Sequence, residues 1–150
     1  MSDSRTAVVP ASAVGVRLAA EAFDAFAASG GIAPDVLRSV QVALDEVLSN
    51  IVQHGYRGRG EGRIQIAFRL ADGVLEVTIQ DDASPFDPLA APLPDVTVGL
   101  APRRVGGLGI LLTRRLMDDV QYERAGGRNR LTLRKRTAST SASSPAGEPS

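Results

Sequence analysis

The chain has 150 residues and is 43% hydrophobic, enough to bury a core within one compact domain. Its 17 basic and 17 acidic side chains balance, which argues against a general attraction to nucleic acid or anionic membrane. With no cysteine and one histidine, His54, it excludes disulfides, thiolate metal sites and histidine-rich metal centres, and 4% aromatic content leaves little for stacking on single-stranded nucleic acid.

Met1 to Thr6 lacks the apolar segment of a secretion signal, and no run is long enough to span a bilayer, so a cytoplasmic protein is expected. Arg5 to Pro10 contains Ala7-Val8-Val9 and reads as a first edge strand ended by Pro10. Ala13 to Ala28 reads as an Ala-rich helix, with Val16, Leu18, Ala19, Phe23 and Phe26 as its apolar stripe and Gly30 and Gly31 as its stop. Pro34 to about His54 is the clearest helix. Pro34 suits the first turn, Leu37, Val40, Leu44, Val47 and Ile51 recur at helical spacing, and Gly55 ends it.

Two alternating segments follow. Arg63 to Leu70 places Ile64, Ile66 and Phe68 on one face, and Val74 to Gln80 carries Val74, Val77 and Ile79; Asp72-Gly73 between them is a tight-hairpin signal. Asp81 to Val105 is a long Pro-rich stretch of the kind that is often functional. Gly106-Gly107-Leu108-Gly109 then opens a helix through about Met117, and a second hairpin joins Val120–Arg124 to Arg130–Lys135. The domain is expected to end near Arg136, with a disordered Ser/Thr/Ala/Pro/Gly tail over residues 137–150. This order implies an α+β, two-layer sandwich: a mostly antiparallel sheet with helices on one face.

Three stretches carry chemistry. Glu46 and Asn50 lie four residues apart and share one helix face. A carboxylate there can deprotonate a hydroxyl and an amide oxygen can ligate a hard cation, although such a pair is also an ordinary solvated helix face. Asp81-Asp82-Ala83-Ser84-Pro85 follows a strand; a buried carboxylate there can accept from an amino group such as that of adenine, or the segment is simply an acidic turn. The Gly106–Gly109 cluster at a helix start allows close approach of phosphate, or serves as a turn. It is neither a Walker loop nor a Rossmann fingerprint.

Taken together, Glu-x-x-x-Asn on a helix, an Asp-x-Gly-like turn after a strand and Gly-x-Gly before a helix resemble the GHKL (histidine-kinase-like) ATPases, and most closely the anti-sigma-factor serine/threonine kinases. The resemblance covers about residues 5 to 136 and is carried by Leu44 to Tyr56, Asp81 to Pro88 and Gly106 to Arg136. It implies a Bergerat-type fold binding ATP and Mg²⁺. Asn50 would ligate the metal, Glu46 would be the general base and Asp81 would accept from the adenine amino group. Ala83 would stand beside the adenine where the family usually has glycine. Gly106, Gly107, Leu108 and Gly109 would approach the phosphates, with Arg104 and its neighbour Arg103 at the phosphate end of a lid between Pro88 and Val105. Thr132 would close the adenine pocket from the last strand. His54 reads as a helix C-terminal cap or as part of the kinase-like His-Gly-Tyr segment. The implied partners are an antagonist protein phosphorylated on serine and a sigma factor, and a homodimer is one assembly the resemblance allows. Two rivals are a nucleotide-dependent binding module without phosphoryl transfer, and a histidine-kinase catalytic domain, which the absence of a long phospho-acceptor helix pair disfavours.

Overall fold

The computed structural model of the chain describes residues 2–55, 62–83, 85 and 106–137. The elements are β1 (Ser2–Pro10), α1 (Ala13–Gly30), α2 (Pro34–Asn50), a π-helical turn (Ile51–Gly55), β2 (Arg63–Ala71), β3 (Val74–Asp81), α3 (Gly106–Leu116), β4 (Asp119–Ala125) and β5 (Arg128–Arg136). The strands form one sheet in the order β1-β2-β3-β5-β4, and all four pairings are antiparallel. The α+β sandwich expected from the element order is what is found. The strand order, the extension of β1 back to Ser2 and the fully antiparallel pairing are added by the structure.

Both hairpins close with two-residue loops, Asp72-Gly73 and Gly126-Gly127, whose residues all have positive φ. Such turns match the twist of the flanking strands.

The core lies between one face of the sheet and the helices. Ile64, Ile66 and Phe68 of β2, Leu75, Val77 and Ile79 of β3 and Leu131 and Leu133 of β5 point into it. From the helices come Phe23, Phe26, Val40, Leu44, Val47 and Leu48. Phe68 packs between Phe23 and Phe26 with ring centroids 5.5 and 5.7 Å apart. Two apolar assignments differ from expectation. Leu18 is 40% exposed, and the buried stripe of α1 runs through Gly15, Ala19, Phe23, Phe26 and Ala27. On β3 the inward residue is Leu75 rather than Val74, whose place in the alternation is on the other face.

Gly15 is fixed by a close approach. A Cβ there would stand 1.7 Å from the Pro10 carbonyl oxygen, so only glycine lets the first turn of α1 fold back against the end of β1. Gly31, at φ 68°, caps α1, with its N–H donating to the Ala27 carbonyl.

The predicted helix over 34–54 is α-helical only to Asn50 and finishes in the π-helical turn. Such turns are rare and cluster at functional sites. Asn50 is therefore the last α-helical residue before the backbone widens. The expected lid between Pro88 and Val105, and the expected tail beyond 137, lie outside the described residues.

Candidate nucleotide-binding site

Asp81 ends β3. It continues the inward alternation of Leu75, Val77 and Ile79 and is only 5% exposed. The register of β3 on β5 sets Asn129 opposite it, itself 6% exposed. The Asn129 Nδ2 donates to Asp81 Oδ1 at 2.9 Å, and the Ala83 N–H donates to the same oxygen at 3.0 Å. The latter is an Asx turn, the local motif in which an aspartate binds the backbone two residues on. Among the described residues, Oδ2 of Asp81 accepts from nothing.

The turn is held from the other side as well. Arg124 Nη1 donates to the Ala83 carbonyl at 3.0 Å, and Asn129 Nδ2 reaches the same oxygen at 3.4 Å. Tyr122 donates its hydroxyl to Asn129 Oδ1 at 2.5 Å. Burial raises the Asp81 carboxyl above its usual range. The Asn129 and Ala83 donors and the Arg124 charge oppose this, and neighbouring Asp82 adds to it.

Ala83 is buried, at 7% exposure. Among the described residues only Asp72 is a non-glycine with positive φ, so Ala83 sits in a conformation open to any L-residue. The turn therefore accepts the methyl group without backbone strain.

The second group of polar residues is on α2. Glu46 is half-buried and Asn50 is 8% exposed, one turn apart at the end where Val47 and Leu48 enter the core. Among the described residues, nothing hydrogen-bonds the Asn50 amide. A buried amide without a partner costs about 1–3 kcal/mol. Leu48 and Ile79, which stand two residues before Asn50 and Asp81 respectively, belong to one core cluster that also contains Ala83. The helix α3 packs against α2, and Gly106, Gly107, Leu108 and Gly109 form its first turn.

Thr132 is not brought to Asp81. It pairs with Thr78 and Gln121, three residues from Asn129, and the alternation turns it to the open face of the sheet. The residue of the last strand that reaches Asp81 is Asn129, which the sequence reading missed. The available signal was parity: Asn129 shares its face with Leu131 and Leu133, and asparagine is uncommon in strands. Arg103 and Arg104 lie outside the described residues. His54 is exposed in the last turn of the π-helical segment. A cleft of about 410 Å³ touches Asp81, with Arg63, Gln65, Gln80, Asp82 and Arg128 in its walls. Gln65 and Gln80 belong to the open face, so this cleft reaches Asp81 from the strand end and not from α2.

Residues 9–135 match the model of the histidine kinase-like ATPase domain. The chain belongs to that family. Histidine kinase-like relatives include the serine-protein kinase RsbW of Listeria monocytogenes, 29% identical over 126 residues, covering 81% of this chain and 80% of that protein. The serine/threonine-protein kinase BtrW of Bordetella bronchiseptica is 30% identical over 100 residues, covering 67% and 70%. The fold recurs in a crystal structure of the RsbU and RsbW domains of Rv1364c from Mycobacterium tuberculosis, at a TM-score of 0.67 and 19% identity. The match covers 97% of this chain and 34% of that one. The family found is the one the three motifs resemble. Among the described residues, no helix of this histidine kinase-like domain is long and apolar enough to cross a membrane.

Proposed function

We propose that this histidine kinase-like domain binds ATP with Mg²⁺ and transfers the γ-phosphoryl group to a serine of a small antagonist protein. In the form free of that antagonist it sequesters a sigma factor. The observation that carries the reading is that two buried polar groups, the Asn50 amide and Oδ2 of Asp81, have no hydrogen-bond partner among the described residues.

Each group fits one part of the nucleotide. Asp81 Oδ2 accepts from the exocyclic amino group of adenine. Asn50 offers a hard oxygen to Mg²⁺. Bound Mg²⁺ neutralises charge on the phosphates. Glu46, one turn before Asn50 and half-buried, takes the proton of the incoming serine hydroxyl. Gly106, Gly107, Leu108 and Gly109 present backbone N–H groups of the α3 start to the phosphates. The relatives' names, serine-protein kinase and serine/threonine-protein kinase, support the phosphoryl acceptor class. The cytoplasm is where such partners would be met.

The test is a pull-down from the native host with and without ATP and Mg²⁺, followed by phosphosite mapping of the captured proteins. The expected result is two partners, one carrying a new phosphoserine. Capture of partners that never acquire phosphate would replace the kinase with a nucleotide-dependent binding module.

A further inference from the structure

We propose that Asn129 and Tyr122 are positioning residues that fix which oxygen of Asp81 meets the nucleotide base, and so make the site selective for a 6-amino over a 6-oxo purine. The inference rests on the adenine reading of Asp81 and goes beyond it, because it assigns base selectivity to two residues of β4 and β5 that act through Asp81.

The amide of Asn129 can stand only one way round. On one side it faces two acceptors, Asp81 Oδ1 at 2.9 Å and the Ala83 carbonyl at 3.4 Å. On the other it faces the Tyr122 hydroxyl at 2.5 Å. Flipping the amide would set its oxygen against two other oxygens. The hydroxyl can donate, so Nδ2 goes to Asp81 and Oδ1 to Tyr122. Tyr122 pairs with Leu131 and is the diagonal neighbour of Asn129 on the same sheet face. It reaches Asn129 without any local sequence link.

The result is an asymmetric carboxylate. Oδ1 is filled by the Asn129 amide and the Ala83 N–H, and Oδ2, which accepts from no described residue, is the acceptor offered to a ligand. A 6-amino group satisfies it. A 6-oxo group would meet it acceptor to acceptor, unless Asp81 carries a proton. The Asn129 donor opposes protonation by stabilising the charged form. The charged groups around Asp81 are Asp82, Arg124 of β4 and, in the walls of the same cleft, Arg63 of β2 and Arg128 of β5. Arg124 anchors the Ala83 carbonyl, so its charge stays beside the turn.

Removing the Asn129 donor lifts the Asp81 carboxyl further. The acceptor form is then lost at a higher pH as the solution is acidified, and the protonated form can donate to a 6-oxo group.

The experiment is calorimetric titration of ATP and ITP into the full chain from mildly acid to mildly basic pH. The proteins are wild type, Tyr122→Phe, Asn129→Leu and Asp81→Asn, each checked for folding by thermal melting. Tyr122→Phe keeps the ring and serves if Asn129→Leu fails to fold. Wild type is expected to prefer ATP. Asn129→Leu is expected to narrow that preference on the order of ten-fold, the weight of one hydrogen bond, and to move the acid loss of ATP binding to higher pH; Tyr122→Phe, which keeps the Asn129 donor but releases its oxygen, is expected to do both to a smaller extent. An unchanged ATP:ITP ratio and pH profile in Tyr122→Phe, with the preference abolished in Asp81→Asn, would overturn the positioning role and leave the adenine reading standing. No preference in wild type would overturn both.

Discussion

The two polar regions of the site are built in opposite ways. At Asp81, apart from the Asx turn to Ala83, the bonds are non-local: the carboxylate, the Asn129 amide, the Tyr122 hydroxyl and the Arg124 guanidinium come from three strands and meet through sheet register. At Glu46 and Asn50 the arrangement is local, one turn of one helix, with no described partner holding the Asn50 amide. The first region is preorganised, with one acceptor, Asp81 Oδ2, left open among the described residues. Under the proposed function, base recognition falls to the sheet, and metal and phosphoryl chemistry to a helix end that widens into a π-helical turn.

That contrast breaks most directly at Asp81→Asn. The new amide keeps an oxygen for the Ala83 and Asn129 donors and turns an N–H toward the adenine amino group. ATP affinity is expected to fall by roughly 1.5–3 kcal/mol, about 10- to 150-fold, in calorimetric titration. Asn50→Leu tests the other region. Removing a buried amide that has no described partner should abolish the Mg²⁺ dependence of ATP binding while raising stability in urea unfolding by about 1 kcal/mol. A fall in stability would mean that Asn50 has a structural partner.

The pH dependence of the nucleotide-free protein sharpens the comparison further. The Asp81 carboxyl is raised on folding, so its contribution to stability is full below the unfolded carboxylate range and is lost as pH rises through the folded value. Asp81→Asn lacks that loss and should gain on wild type in urea unfolding as pH increases toward neutrality. The smallest expected effect is at the turn. Ala83→Gly should cost about 0.4–1 kcal/mol, because Ala83 needs no positive φ and glycine only loosens the unfolded chain. A gain in stability would show that the methyl group crowds the turn.

Helices and strands were legible because their periods of 3.6 and 2 are local, and so was the spacing of Glu46 and Asn50. What was not legible follows from distance along the chain. Asn129 and Thr132 lie on one strand on opposite faces, and only the register against β3 shows which of them meets Asp81. The Tyr122 contact depends on a further register, that of β4 on β5. Gly15 looked like one small residue in an Ala-rich helix, and its necessity appears only where the Pro10 carbonyl comes back against it. On α1 the stripe was misplaced at Leu18 because so many small residues leave the apolar face weakly marked. Over residues 86–105 no periodicity was available to read.

The central claim is that the helix end does chemistry and the sheet end does recognition. The direct measurement is transfer of labelled γ-phosphate from ATP to the cognate partner by wild type and by Glu46→Ala, with ATP and partner binding followed in parallel. The account predicts label on a partner serine, dependent on Mg²⁺ and lost in Glu46→Ala, while both binding steps persist in that variant. Transfer at the wild-type rate by Glu46→Ala, or label accumulating on His54, would contradict it.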